Sequence, residues 1–435
     1  MSRLHASNIL VKTFFQKHPA DAARALEALS QEEARKILLT LPTESGCQTI
    51  EFLNPHFASL LFDDFTPEQA KPFLGKVSPK RVADILLDLA QEKRNEFLKV
   101  ISAPEAQVLE ALLTYPPETA GGMMSPGVIS VSKDLTVSEA IQAIRNSSRK
   151  KLLYYVYVTD HENHLEGVLG MRDLVLSPSQ TSVASLMVKE VISVPAQTDR
   201  EEVVQLAAKH RFLAIPVVDP DRRLLGIIHS EDLIKAAEEE ASEDIQKMFG
   251  AGGDEEPASP VPFAVRKRLP WLYVNLATAF LAAAVVGLFE NTIAKITALA
   301  VFLPVVAGQG GNAGAQTLAV VIRGLALGQV EKGMVMRVMW KEAQLGIING
   351  ILIGLVTAGV GYLWVKNPYF GLVIGLAMII NMIVACVAGA GIPILMKAIG
   401  RDPAQSSSII LTTFTDVIGF LSFLGLATLF ASVLI

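Results

Sequence analysis

The stretch PVVAGQGGNAGAQ, Pro304 to Gln316, lies inside an otherwise apolar run of membrane-spanning length. Four glycines and three carboxamides fill it where leucine would partition more easily. Each buried polar side chain costs free energy unless a partner or water satisfies it. The stretch therefore implies close helix contact or the passage of something hydrated. Gly310 and Gly314 form one GxxxG pair and Gly324 and Gly328 a second, which predicts close helix contact at both. Asn312 and Gln316 lie one helical turn apart, a placement suited to lining a polar path.

Outward from this stretch, the C-terminal half is dominated by long apolar runs. The chain has 435 residues, room for two or three domains, and is 51% hydrophobic. Most charges precede Arg268 and most apolar runs follow it, which predicts a soluble half joined to a membrane half. Five candidate spans fall at 271–289, 297–322, 341–364, 369–396 and 408–434, each near or above the ~20 residues a bilayer requires. Arg266, Lys267, Arg268, Arg323, Lys332, Arg337, Lys341, Lys397 and Arg401 cluster at one set of span ends, against Lys295 and Lys366 at the other. The positive-inside rule then predicts a cytoplasmic N-terminus and an external C-terminus. The opening residues MSRLHASNILVKTFFQKHP carry no signal-peptide pattern, in keeping with a cytoplasmic N-terminal half.

An acid within a span is a functional hypothesis by default, because its insertion costs ~3 kcal/mol. Asp416, in SSSIILTTFTDVIGF, is such an acid. Helical geometry places Ser408, Thr412, Thr415 and Asp416 along one stripe. A carboxylate among hydroxyls suits a hard cation, and magnesium in particular keeps its waters and takes one or two carboxylates. The bland reading of Asp416 is a hydrogen bond to a neighbouring helix. Glu342 opens the third span in WKEAQLG and reads equally as an interfacial acid or a pore residue. Asn381 reads as interior, in the path or as interhelical glue. Asp402 in GRDPAQ stands at the mouth or simply starts the last helix.

Residues 1–120 read as helical. Ala22, Leu26, Leu29, Ile37 and Leu38 follow helical spacing, and an echo about 60 residues on sets Leu86 and Leu89 opposite Leu26 and Leu29. This predicts a small α-solenoid, a binding surface or a plain packing domain. Between 123 and 240, MMSPGVISVSKDLTVSEAI matches LMVKEVISVPAQTDREEVV, and YYVYVTDHENHLEGVLGMRDL matches LAIPVVDPDRRLLGIIHSEDL. Each copy gives strand, helix, strand, strand, helix, and the pair resembles tandem CBS domains. That resemblance implies an adenosine-nucleotide pocket, with Tyr155, Arg172, Asp173, Phe212 and Pro216 as candidates, or a dimerisation platform alone. GAGGDEEPASP, Gly250–Pro260, reads as a linker, and VPFAVRKRLP as a short basic amphipathic piece whose Arg266, Lys267 and Arg268 meet lipid phosphates.

VVAGQGGNAGAQ followed by VIRGL, then GRDPA and TTFTDVIG, resembles in order and spacing the MgtE family of magnesium channels or transporters. The solenoid, CBS pair and five spans fit the same family, so the resemblance covers essentially the whole chain. It implies a multidomain fold: an all-α solenoid N domain over 1–120, an α/β tandem CBS pair over 121–184 and 185–245, a linker and connecting helix over 246–270, and an all-α polytopic membrane domain with five transmembrane helices over 271–435. It implies a homodimer in a bacterial inner membrane, the paired membrane halves enclosing a pore with Asp416 at the ion-binding position. Ser408, Thr412, Asn312, Asn381, Glu342 and Asp402 are the remaining pore candidates. It further implies that the cytoplasmic domains sense magnesium, through Glu201, Asp232, Glu240, Glu243, Asp244 and Asp84. Lys80, Arg211 and Lys235 depart from this pattern, standing where acids are expected, and a fixed cation there can neutralise neighbouring acids without metal.

Other functions are constrained by what is missing or scattered. A net charge of -5 argues against nucleic-acid binding. Cys47 and Cys386 lie in different halves, leaving neither a disulfide framework nor a CxxC site. There is no GxxxxGK[ST], HExxH or GxSxG, so neither an enzyme nor an ATP-driven pump is expected. The alternatives are a broader carrier of cobalt, manganese or nickel, and a membrane-anchored nucleotide sensor without transport. The polar stripe at Asp416 counts against the sensor, since an anchor does not require it.

Overall fold

The computed structural model describes residues 11–147, 153–253, 255, 259, 261–330, 332–405 and 407–434, so part of the Gly250–Pro260 linker lies outside the described residues. The chain divides into two compact units, Met1–Ala236 and Ala237–Ile435.

After a helical stretch over residues 11–17, the first unit continues with α1 Pro19–Glu27, α2 Gln31–Thr40, α3 Thr43–Phe52, α4 Pro55–Asp63, α5 Pro67–Leu74, α6 Pro79–Leu87, α7 Gln91–Val100 and α8 Ala103–Leu113. Their first residues, 19, 31, 43, 55, 67, 79, 91 and 103, are evenly spaced. Each helix packs on the next but one, α1 on α3 and so on to α6 on α8, which is solenoid stacking. The echo between Leu26 and Leu86 is thus a multiple of a finer period. Buried Leu26, Ile50 and Leu74 occupy one position of successive hairpins, and buried Leu38, Phe62 and Leu86 another. Helix starts are fixed locally by capping boxes at Ser30–Glu33 and Thr66–Gln69. They are also fixed across hairpins: Glu27 accepts the Asn54 N–H and Glu51 the Ser78 N–H, each at 2.6 Å.

The repeat that follows builds two sheets. Its strands are β1 Ser125–Pro126, β2 Ser130–Ser132, β3 Tyr155–Thr159, β4 Leu165–Gly170, β5 Val194–Pro195, β6 Ala214–Val218 and β7 Leu224–His229. Its helices are α9 Ala120–Met123, α10 Val137–Asn146, α11 Met171–Leu176, α12 Val183–Leu186 and α13 Arg200–His210. One sheet runs β2–β3–β4 and the other β1–β7–β6–β5. β1 leads the first copy yet pairs antiparallel with β7 of the second, Ser125 opposite Ile227. Reciprocally, Val188 ahead of the second copy bridges Val168 on β4, with N–O distances of 3.0 and 2.9 Å. Each copy therefore lends its leading segment to the other's sheet. Tyr157, 1% exposed, sits between the copies with Leu165, Val218 and Leu224.

α14, Ser230–Met248, leaves the repeat and enters the second unit. The second unit contains α15 Val261–Gly287, α16 Glu290–Lys295, α17 Ala298–Ala326, α18 Val335–Val365, α19 Pro368–Ala398, α20 Ser407–Leu429 and α21 Ala431–Leu434. Of these, α15, α17, α18, α19 and α20 are long and apolar enough to cross a bilayer. α19 is the most enclosed and packs against α17, α18 and α20. Its seam with α18 is a run of small residues, Gly346, Gly350 and Gly354. A Cβ on these would fall 2.8 Å from Ile383 Cα, 3.0 Å from Ile379 Cα and 2.9 Å from the Gly375 oxygen.

Three sequence expectations change here. The basic piece is not separate: it forms the first turns of α15, which continues through Pro270. Within it, Arg268 forks onto Glu255, one Nε–O distance being 2.9 Å, instead of being left for lipid phosphate. The second GxxxG pair does not join helices. Gly328 lies beyond the end of α17 at φ +65, where it reverses the chain, and a Cβ on Gly324 would meet only Val330.

Candidate ion pathway and sensing clusters

α20 carries the hydroxyl and carboxylate stripe. Thr412 and Thr415 donate their hydroxyl protons to the backbone oxygens of Ile409 and Thr412, at 3.1 Å each. Thr412 is half-buried and keeps oxygen lone pairs free to accept, whereas Thr415 is fully buried and drops out of the exposed stripe. Ser408, Thr412 and Asp416 are half-buried and follow one another at single-turn steps. Among the described residues none hydrogen-bonds the Asp416 carboxylate. A half-buried acid in a membrane helix without a protein donor is suited to a hydrated cation, whose charge offsets its desolvation.

Asn312, Gln316 and Glu342 come together, but not around Asp416. With Gln309 and Asn349 they line a cavity of about 420 Å³ between α17, α18 and α19. Glu342 is 3% exposed and accepts from Thr317 Oγ1 at 2.9 Å and Lys341 Nζ at 3.0 Å. Asp416 does not line this cavity, so the carboxamide face of α17 and the acid of α20 are two features within one chain.

Asn381 is fully buried and lines no part of that cavity. Its Nδ2 donates to the Val306 oxygen at 2.7 Å, and its Oδ1 finds no donor among the described residues. It fills the junction of α17, α19 and α20: a Cβ on Gly310 would fall 2.8 Å from its Cγ, and one on Gly419 3.0 Å from the same atom. The glue reading fits this geometry. Gly314 similarly admits Leu411, so the opening glycines do serve close helix contact.

Asp402 lies in the turn before α20. Its Oδ1 accepts the Ala404 N–H at 2.8 Å, and its Oδ2 lies 3.0 Å from Lys247 Nζ. Lys247 also meets Glu243 at 2.5 Å. Burial works against the Lys247 ammonium, but Glu243 and Asp402 outweigh it and raise its pKa. Lys247 was not singled out from the sequence. An i,i+4 Glu–Lys pair was visible there, but its third member was not.

Among the sensing candidates, the first unit joins Lys80 to Asp84 at 3.0 Å. Burial raises the Asp232 carboxyl above the usual aspartate range, and Lys80 pulls it partly back. Lys80 thus sits among acids. Arg211 instead ends α13 in the left-handed region, φ 55, and Lys235 is exposed on α14. Glu201 accepts from Gln205 at 2.9 Å, while Glu240, Glu243 and Asp244 follow further along α14. Of the nucleotide candidates, Tyr155 opens β3 opposite Gly170, which directly precedes α11 with exposed Arg172 and Asp173. Phe212 stacks on His210 at 5.2 Å, and Pro216 is buried on β6.

Five membrane-length helices, an acid and hydroxyl stripe on the last, and an attached solenoid with a two-copy sheet module define a membrane transport protein with a regulatory domain. A divalent cation transporter family model matches residues 303–426, an MgtE intracellular N domain model 17–118, and a CBS domain model 120–178 and 183–239. The chain is 32% identical to the magnesium transporter MgtE of Thermus thermophilus, over 95% of this chain and 93% of that one. It is 30% identical to the corresponding Bacillus subtilis protein, over 95% and 92%. A crystal structure of the cytosolic domain of the Mg2+ channel MgtE in complex with ATP superposes with a TM-score of 0.50 at 28% identity, covering 54% of this chain and 96% of that one. The chain belongs to the MgtE family.

Proposed function

We propose that this protein is a magnesium-selective channel or transporter, moving Mg2+ down its electrochemical gradient under the control of its N-terminal domains. The observation that carries the reading is Asp416, half-buried in α20, with no hydrogen-bond donor among the described residues and one turn from Thr412. Magnesium crosses such a site with most of its waters, held by a carboxylate and by hydroxyl oxygens. The named relatives support the same cargo. In this reading two chains assemble as a homodimer around the path, in a bacterial plasma membrane, with the N-terminus cytoplasmic and the C-terminus external. The acids at Glu201, Asp232, Asp84, Glu240, Glu243 and Asp244 sense magnesium.

An adenosine nucleotide occupies the CBS pair. Tyr155 offers an aromatic face for a base, and past Gly170, its partner across the sheet, the exposed Arg172 can donate to a phosphate and Asp173 accept from ribose hydroxyls. The ATP-bound cytosolic domain to which this chain is similar supports that assignment.

A broader divalent cargo is favoured by one observation: the Cys386 thiol and Met382 thioether line the cavity beside Glu342, and these are softer ligands than magnesium takes. Flux into proteoliposomes containing the purified chain, with Mg2+ set against Co2+, Mn2+ and Ni2+, decides between them. Flux with Mg2+ far above the others supports magnesium selectivity. Equal or greater flux with Co2+ or Ni2+ supports the broader carrier, and no flux with any ion removes the transport reading.

A further inference from the structure

In the second unit, the segment from Glu243 to Glu255 is attached to the membrane helices at several points. Met248 packs with Leu318 and Ile322 of α17 and with Ala404 and Leu411 at the start of α20. Gly250 turns the chain in the left-handed region, φ +77, where a Cβ would fall 3.0 Å from Trp271 Cβ and 3.1 Å from Ile409 Cδ1. Gln246 donates to the Glu255 oxygen at 2.9 Å, and Glu255 holds Arg268 of α15. The Met248 contact is apolar, that of Gly250 steric, Gln246 bonds within the connector, and Glu255–Arg268 is a charged link to α15. A further charged bridge reaches the turn that launches α20.

That bridge is the triad of Glu243, Lys247 and Asp402. Side-chain exposures of 14%, 31% and 32% place it in a partly desolvated site, where charges act more strongly than on an open surface. Two carboxylates approach one ammonium, so the triad is stable only while a cation stands between them. The Ala404 N–H on the other Asp402 oxygen transmits the position of that carboxylate to the backbone at the head of α20. Ser407, next in line, donates its hydroxyl to the Pro403 oxygen in the same turn. Beside the apolar contacts of Met248 and Gly250, the start of the helix that carries Ser408, Thr412 and Asp416 is thereby tied to the connector by an ion pair through Asp402.

We propose that Lys247 is a positioning residue whose ammonium latches the connector to the head of α20 as a permanent, metal-independent cation. The latch does not depend on which ion the protein carries. Removing the ammonium turns the contact into repulsion between Glu243 and Asp402, which a divalent cation can relieve by bridging carboxylate oxygens. A single carboxylate offers no such bridge. The latch therefore predicts a specific pattern across variants, one that loss of packing alone would not produce.

The test is amide hydrogen exchange in the full-length chain reconstituted in lipid, read at Gly250 and Ala251. Their N–H groups bond the Lys247 and Gln246 oxygens at 3.0 Å each. Wild type should exchange slowly at these amides with or without Mg2+. Lys247→Gln should exchange about tenfold faster without Mg2+ and recover on adding it, as expected when an ion-paired site opens locally. Lys247→Arg should behave as wild type, keeping the charge. Asp402→Asn should exchange faster, with no recovery by Mg2+. Unchanged exchange in Lys247→Gln overturns the proposal. Equal recovery of Asp402→Asn by Mg2+ overturns it as well, because the effect would then not pass through the paired carboxylates. Neither result bears on whether Asp416 conducts magnesium.

Discussion

Gly310→Ala tests the junction of α17, α19 and α20 most sharply. The new methyl would fall 2.8 Å from Asn381 Cγ and 2.9 Å from its Oδ1. Asn381 has no room to retreat: it is 0% exposed, its far side faces Gly419, and its Nδ2 is tied to the Val306 oxygen at 2.7 Å. Overpacking of this kind costs ~1–3 kcal/mol. Losing the amide hydrogen bond adds ~0.6 kcal/mol in a membrane protein. The better helix propensity of alanine offsets ~1 kcal/mol. The net destabilisation is therefore ~0.6–2.6 kcal/mol. Gly311→Ala meets nothing within 4 Å and keeps only the propensity gain, so it should be neutral or stabilising by up to ~1 kcal/mol. Denaturant unfolding of the full chain in mixed micelles measures both. Adding Asn381→Ala to Gly310→Ala empties the space the methyl needs, so the pair should show a favourable coupling of ~1 kcal/mol or more. Additivity within ~0.5 kcal/mol, or equal effects at positions 310 and 311, would refute the account.

Asp416→Ala should leave unfolding nearly unchanged, because none of the described residues hydrogen-bonds the carboxylate, yet abolish most Mg2+ flux into proteoliposomes; near-normal flux would remove Asp416 from the path. Asp416→Asn should also impair flux, since an amide attracts a dication less. Asp232 carries a pKa raised chiefly by burial, so its folded form binds a proton that the unfolded chain has already lost. Its ionisation therefore costs stability, the cost appearing as pH rises from the ordinary aspartate pKa through the raised one. Asp232→Asn should raise the melting temperature at pH 7 and make no difference in acid below that window; a gain that persists unchanged in acid would point to another cause. Lys80→Asp removes the ammonium that pairs with Asp84 and acts on Asp232, and should make thermal stability depend more steeply on Mg2+. Arg211→Asp, at an exposed left-handed cap, should change that dependence little; equal steepening by both would show that general charge, not the cluster, matters.

Much of this protein was legible in one dimension because the deciding physics acts on contiguous segments. A bilayer asks for about twenty apolar residues in a row, so the five spans could be read directly. A duplicated run of strands and helices shows itself by repetition, as Val131 and Val194 do at matching points of the two copies. The acid of α20 stands out because an unneeded carboxylate in a membrane helix is expensive. Gly310 and Gly314 were legible as contact residues for the same local reason.

What the tertiary structure alone decided is partner choice between distant segments. The exchange of β1 onto β7 depends on how two copies dock, and neither copy encodes it by itself. Asn312 and Gln316 share a cavity with Glu342, not with Asp416, because the rotation of α17 about its axis is set by Gly310 and Gly314 turning toward Asn381 and Leu411. Lys247 reads in sequence as half of an ordinary surface pair, and only the fold brings Asp402 to its other side. Hydropathy and period are summed along the chain, whereas a hydrogen bond or an ion pair is settled by a few ångströms between elements that the sequence keeps far apart.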